Sequence, residues 1–290
     1  MTLKEAQQYL KTRLLTVYEE REAANIADWV MEKVTGQKKI DRLMHKDQPL
    51  SETSLATLNN YTDQLIQHKP VQYVLHEAWF YGMQLYVDEN VLIPRPETEE
   101  LVEWIIQEVK EREQQGKKQQ EIQLLDIGTG SGCIPVALKK QLPGVSVNAC
   151  DVSAGALSVA KRNAQQQQTA IQFSELDFLN TLQWSQLPTV DIIVSNPPYI
   201  PQSDEHTMNT NVLAYEPHLA LFVPDNDALL FYRHIADFGL VHLRSNGKIF
   251  IEIHEDLGAA VCELYKAKGY SNIVLRKDMQ GKDRMVMAVM

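Results

Sequence analysis

Four short segments contain residues whose types and spacing could do chemistry. In LLDIGTGSGC an apolar run ends at Asp126 and opens into a turn with Gly128, Gly130 and Gly132 at alternate positions. Glycines where a strand gives way to a helix let a ligand approach backbone N–H groups at the helix N-terminus. A dinucleotide fingerprint, GxGxxG, needs its third glycine at position 133, which is Cys133, so a nicotinamide dinucleotide is disfavoured. Asp151 closes the next apolar run, 19 residues beyond Gly132, where a carboxylate can accept both hydroxyls of a ribose. Asp177-Phe178 follows a third run, where an acid and a ring could hydrogen-bond and stack an adenine.

The fourth segment is Asn196-Pro197-Pro198-Tyr199, entered directly from VDIIVS. Two consecutive prolines remove two backbone donors and fix an extended path, leaving their carbonyls as acceptors beside the Asn196 amide oxygen and the Tyr199 ring. That set suits a planar substrate bearing an NH2 group, its hydrogens held by two acceptors and its face against a ring. Each segment alone has a plainer reading: an ordinary strand-to-helix turn, a helix cap at Asp151, a core ring at Phe178, a rigid turn at NPPY. Their succession on consecutive strand ends favours a ligand site, because open α/β sheets bind ligands at the carboxyl ends of their strands.

The elements that must position these residues follow from periodicity. Residues 1–70 read as helices: Thr2 and Glu5 form a capping box ahead of Leu3, Ala6, Leu10, Leu14 and Val17; a second stripe, Ile26, Val30, Met31 and Val34, ends at Gly36; and Ser51 opens a third with Leu55, Leu58, Leu65 and Ile66. Residues 71–94, with WFYGMQLYV, a DEN turn and VLIP, read as a hairpin linking this small bundle to a larger domain over 95–290. A helix begins at Leu101, Val102 and Ile105, and KEREQQGKKQQE reads as an exposed connection. Beyond residue 121 the runs IQLLDI, VSVNACD, AIQFSEL, VDIIVS, KIFIEI, NIVLRK and MVMAVM are spaced by helical sequence up to about 141, through Ala160 and over 256–268. Such alternation marks a mostly parallel α/β sheet covered on both faces. Only KDMQGKDR separates the last two runs, too short for a crossover, so the final strand is expected to be antiparallel.

Composition removes several function classes. The 290 residues are 44% hydrophobic and 23% charged, a globular rather than a disordered balance, with a net charge of −10. Residues 1–70 hold ten basic and ten acidic side chains, so the whole excess of negative charge falls on the rest of the chain, which disfavours direct nucleic-acid or anionic-membrane binding. Cys133, Cys150 and Cys262 show no metal or disulfide spacing, and the eight histidines show no HExxH pattern, so no metal is expected and a reducing cytoplasm fits. Charges interrupt the N-terminus and no apolar run approaches 18 residues, against secretion or membrane spanning.

Asp126 with GTGSG, Asp151 and NPPY together resemble the class I S-adenosylmethionine-dependent methyltransferases of the amino-group type, which methylate adenine, guanine or glutamine nitrogens. FYG at 80–82, VLIPRPETEELV at 91–102, NPPYIP at 196–201 and YEPHLAL at 215–221 narrow the resemblance to the HemK-type glutamine methyltransferases, which modify the glutamine of the Gly-Gly-Gln loop in class I peptide chain release factors. The likeness extends from the helical N-terminal part to the C-terminus. It implies a Rossmann-like sheet, S-adenosyl-L-methionine as cofactor, release factors as partners and a cytoplasmic monomer. It assigns Asp126, Gly128, Thr129, Gly130, Ser131 and Gly132 to the cofactor loop, Asp151 to the ribose, and Asp177 with Phe178 to the adenine. Asn196, also beside the cofactor, and Pro197 would accept from the glutamine amide, with Pro198 adjoining and Tyr199 packed on it. The chain departs from the family pattern at FVPDND, after YEPHLAL, and at His254 in IEIHED, where the family commonly has glycines. The rival with the same chemistry is a DNA or rRNA exocyclic-amine methyltransferase; one of another class is a non-catalytic partner-binding protein.

Overall fold

The computed structural model describes every residue except Gln115, Lys117, Gln119 and Gln120, so part of the connection expected at KEREQQGKKQQE lies outside the described residues. The chain forms two units, one of Met1–Glu77 with Asn209–Tyr215, the other of Ala78–Met208 with Glu216–Met290.

In the first unit, α1 (Leu3–Leu14) begins at the expected capping box: Thr2 N–H donates to Glu5 Oε2 at 2.8 Å while Glu5 N–H donates to Thr2 Oγ1. α2 (Glu20–Thr35) stops at Gly36, whose φ of 67° is the left-handed conformation that glycine adopts at least cost. α3 (Lys39–Met44) is a short helix that periodicity did not suggest, and α4 (Glu52–Leu65) starts where the Ser51 hydroxyl caps Ser54 N–H. α5 (Val71–Leu75) follows Pro70, and α9 (Thr210–Tyr215) belongs to the same unit. Leu3, Leu10, Leu14, Val30, Met31, Leu58 and Leu65 form one apolar core, joined by Val74 and Leu75 of α5.

The second unit opens with a hairpin, β1 (Ala78–Phe80) and β2 (Met83–Leu85), turning at Tyr81-Gly82, both with positive φ. The hairpin expected over 71–94 is therefore confined to 78–85. Val74 and Leu75 are drawn into the helical core, and the DEN residues lie in a loop beyond the strands. Phe80, Met83 and Leu85 pack into one side of the sheet core, and the Glu99 carboxylate of α6 (Pro96–Gln114) accepts Tyr81 N–H at 2.9 Å.

The sheet is built from β3 (Gln123–Ile127), β4 (Ser146–Asp151), β5 (Gln172–Glu175), β6 (Val190–Ser195), β9 (Leu243–Glu252), β10 (Ser271–Lys277) and β11 (Asp283–Val289). Among the described residues these seven run in the order β10-β11-β9-β6-β3-β4-β5. β3, β4, β5, β6 and β9 are parallel, and β11 is antiparallel to both its neighbours, as the short link before it required. α7 (Cys133–Gln141), α8 (Ala154–Gln166), α10 (Leu230–His242) and α11 (Gly258–Ala267) are the associated helices. α10 was missed in sequence, although Tyr232, Ile235, Ala236, Phe238 and Gly239 repeat at helical spacing and are buried. Every residue of β6 is buried, so it runs through the middle of two apolar clusters and delivers Asn196 at its carboxyl end. The two-residue strands β7 (Ile200–Pro201) and β8 (Phe222–Val223) pair in parallel, which sets the segment ending at Leu221 beside NPPY.

Candidate active site

The loop from β3 to α7 is shaped by its glycines. Gly128, Gly130 and Gly132 have φ of +73°, +52° and +76°, conformations in which a side chain is strained. A Cβ on Gly128 or Gly130 would meet nothing within 4 Å, whereas one on Gly132 would press to 3.0 Å on Ala160 of α8. The first two glycines serve backbone conformation and the third serves packing as well. The N–H groups of the turn are not simply offered to a ligand, as expected from sequence. Those of Gly128 and Thr129 donate to the Cys150 carbonyl at 2.9 and 3.0 Å, and that of Gly130 donates to Asp151 Oδ2 at 2.8 Å. The end of β4 thus holds the loop open, and Asp151, which also accepts from Ser153 N–H at 2.9 Å, is its clamp. Asn163 of α8, wholly buried, steadies the loop from the other side by donating to the Ser131 carbonyl and to the Tyr86 carbonyl.

These elements enclose a cavity of about 380 Å³ within the second unit. It is bordered by Gly128, Thr129, Gly130, Ser131, Asp151, Asp177, Phe178, Asn196, Pro197 and Pro198, so ten residues singled out in sequence converge there. Asp126, Gly132 and Tyr199 are not among the residues that border it, and the Tyr199 hydroxyl is turned onto Glu252. Phe178 borders the cavity while packing on Trp184 and edge-on to Phe238, with ring centroids 5.6 and 5.4 Å away. Asp177 turns one oxygen onto Leu179 N–H at 3.0 Å. Asn90, Arg95, Thr98, Leu219 and Ala220 also border the cavity and were not assigned roles in sequence. The buried Glu216 carboxylate joins two of the segments that carry the family resemblance, accepting from Arg95 at 2.6 Å and from Ile93 N–H at 3.1 Å.

Charge inside the site is confined. Asp126 is fully buried, and burial pushes its carboxyl up to about 7 against the lowering effect of the Thr129 hydroxyl. Thr129 is buried as well. Burial raises Asp151 as well, against the lowering effect of the backbone N–H groups it accepts. The Tyr199 hydroxyl donates to Glu252 Oε1 at 3.2 Å, and burial beside that carboxylate pushes the phenol well above its ordinary range.

Residues 109–218 match the methyltransferase small domain family, and residues 2–75 match the PrmC N-terminal domain. In fold, the chain is similar to the crystal structure of the hMettl16 catalytic domain in complex with a MAT2A 3′UTR hairpin (TM-score 0.53, 17% identity, 82% of this chain and 81% of that one). It is also similar to the human methyltransferase 10 domain containing protein (TM-score 0.51, 19% identity, 72% and 89%). The strand order, the glycine turn and the pocket at the carboxyl ends of β3, β4 and β6 define a class I S-adenosyl-L-methionine-dependent methyltransferase. Over nearly its whole length the chain is 43% identical to the release factor glutamine methyltransferase of Flavobacterium psychrophilum (94% of each chain) and 38% identical to that of Bacteroides thetaiotaomicron (97% of each). That of Streptococcus pneumoniae is 46% identical over 77% of this chain and 76% of its own. The chain belongs to the release factor glutamine methyltransferase family. The open space over Gly128 and Gly130 on the border of the cavity fits a methyl donor that carries both an adenosine and a charged amino acid. No helix among the described residues is long and apolar enough to cross a membrane.

Proposed function

We propose that this chain methylates the side-chain amide nitrogen of the glutamine in the Gly-Gly-Gln motif of class I peptide chain release factors, acting in the cytoplasm as a monomer without direct contact to nucleic acid. The observation that carries this reading is the end-to-end likeness to release factor glutamine methyltransferases, which takes in both the helical unit and the catalytic sheet. The net charge of −10, held outside residues 1–70, favours a protein over a nucleic-acid substrate.

When bound, S-adenosyl-L-methionine supplies an electrophilic methyl group on a sulfonium sulfur. Gly128, Thr129, Gly130, Ser131 and Gly132, with Asp126 beneath them, would hold its amino-acid part, Asp151 its ribose, and Asp177 and Phe178 its adenine. A carboxamide nitrogen is a poor nucleophile because its lone pair is delocalised into the carbonyl, so the protein's task is positioning. Asn196 Oδ1 and the Pro197 carbonyl would each accept one hydrogen of the glutamine NH2, turning its lone pair toward the methyl and favouring pyramidalisation as positive charge develops. Pro198 keeps the acceptor pair extended, and Tyr199 backs it from the Glu252 side. No strong base is needed before attack, since the nitrogen becomes acidic once it carries the methyl and then gives its proton to solvent. The helical unit would select the substrate, because one side chain offers far less surface than the roughly 1,200–2,000 Å² of a specific protein interface. Methyl transfer from labelled cofactor to release factor, rRNA and duplex DNA, measured side by side, tests the reading; labelling confined to the release factor is expected, and labelling of either nucleic acid instead would replace it.

A further inference from the structure

The Asn196 amide is presented to the cavity with a definite polarity, and its orientation is set by residues outside NPPY. Asn196 Nδ2 donates to Thr98 Oγ1 at 3.1 Å, and Thr98 Oγ1 lies 2.6 Å from Glu252 Oε2. Glu252 Oε1 receives the Tyr199 hydroxyl. Thr98 and Glu252 are each 2% exposed, so water does not compete for these positions. They come from the first turn of α6 and the last residue of β9, with Asn196 following β6, so three separate elements meet at one hydrogen-bond chain.

We propose that Thr98 and Glu252 are positioning residues that fix which end of the Asn196 amide meets the substrate. The proposal rests on the reading of Asn196 as the acceptor for the glutamine NH2, and deepens it. As an ionised carboxylate Glu252 only accepts, and the hydroxyl proton of Thr98 then points at it. The lone pairs of Thr98 Oγ1 are then what faces Asn196, and only the NH2 end of the amide satisfies them. Oδ1 is left for the cavity, where an acceptor is required. Were the Thr98 proton turned toward Asn196, the amide would flip and present NH2 to the substrate's NH2, two donors face to face. The polarity thus runs from Glu252 through Thr98 to Asn196, and the second oxygen of Glu252 holds the hydroxyl of Tyr199 in the same motif. Burial raises the Glu252 carboxyl; the hydrogen bonds from the Thr98 and Tyr199 hydroxyls and the charge of Arg284 favour its ionised form, and Glu97 opposes it.

The test uses the full-length protein with intact release factor and S-adenosyl-L-methionine. Thr98→Val keeps shape but removes the relay; Thr98→Ser keeps the relay but loses a methyl; Glu252→Gln keeps shape but supplies a donor. The expected result is a kcat lowered about 10- to 100-fold in Thr98→Val and Glu252→Gln, with KM for release factor and cofactor Kd within about threefold, and kcat largely restored in Thr98→Ser. The double variant Thr98→Val/Glu252→Gln should be no worse than the poorer single, because both break the same chain. If Thr98→Val keeps wild-type kcat while Asn196→Ala loses it, the relay is overturned and the acceptor reading stands. If Asn196→Ala itself keeps wild-type kcat, the acceptor reading falls and the relay with it. A Thr98→Ser variant as defective as Thr98→Val, or a loss that falls on cofactor Kd, also overturns the relay in favour of plain packing. Should Glu252→Gln fail to fold, the Val and Ser pair at 98 decides alone.

Discussion

The buried carboxyl of Asp126 should make the protein without cofactor less stable as pH rises, and Asp126→Asn should remove that dependence. Its pKa rises from 3.8 to about 7 because burial penalises the charged form. Between those values the folded chain keeps a proton that the unfolded chain has lost, so stability falls through this window and levels off above about 7. At 1.36 kcal/mol per unit the full penalty is about 4 kcal/mol at pH 8 but less than half of that at pH 5. Asparagine has nearly the same shape and does not ionise, and any unmet hydrogen bond it brings costs the same at both pH values. The variant should therefore gain about 2–3 kcal/mol on wild type between pH 5 and pH 8, a widening of roughly 5–10 °C in Tm. Burial-raised Glu252 is present in both proteins and cancels in the difference, while the repulsion that Asp151 adds at Asp126 belongs to the effect the variant removes. Thermal unfolding by circular dichroism at the two pH values reads it directly. A Tm difference that does not change with pH would refute the argument that burial raises the Asp126 carboxyl into the neutral range.

Further outcomes follow from the same geometry. Gly130→Val puts a β-branched residue at φ +52°, and Asp151→Ala removes the acceptor of Gly130 and Ser153 N–H; each should weaken S-adenosyl-L-methionine binding by about ten- to a hundred-fold by calorimetry with the sheet intact, and unchanged affinity in both would remove the proposed site. Asn196→Ala should lower kcat by about 10²–10³ with cofactor affinity within a few-fold, and normal turnover would take the acceptor role from NPPY. A chain beginning at Ala78 should bind cofactor yet methylate intact release factor with a much reduced kcat/KM, while both forms turn over a short Gly-Gly-Gln peptide equally poorly; full activity on the release factor would leave the helical unit without its proposed task.

Much of the site was legible because its residues sit at the ends of apolar runs. Asp151 and Asn196 each mark a point where a strand gives way to polar sequence, Asp126 lies one residue before such a point, and parallel pairing of β3 with β4 and β6 brings these points side by side. The antiparallel β11 was legible from the brevity of KDMQGKDR alone. The extent of the hairpin was not, since Trp79 through Val87 reads as one apolar stretch; the turn lies at Tyr81-Gly82, inside it. The use of the loop N–H groups by the Cys150 carbonyl and Asp151 depends on the register between two strands, which periodicity does not reveal. Thr98 and Glu252 escaped notice as a pair for a similar reason: they lie 154 residues apart and meet only after the sheet has formed.

The central claim is that a glutamine amide nitrogen in a release factor receives the methyl group. Fragment mass spectrometry of a class I release factor incubated with this protein and S-adenosyl-L-methionine tests it most directly. The account predicts the mass of one methyl group on the glutamine of Gly-Gly-Gln, absent when the protein is omitted and nearly absent with Asn196→Ala. An unmodified Gly-Gly-Gln peptide, or a methyl group on another residue, would contradict it.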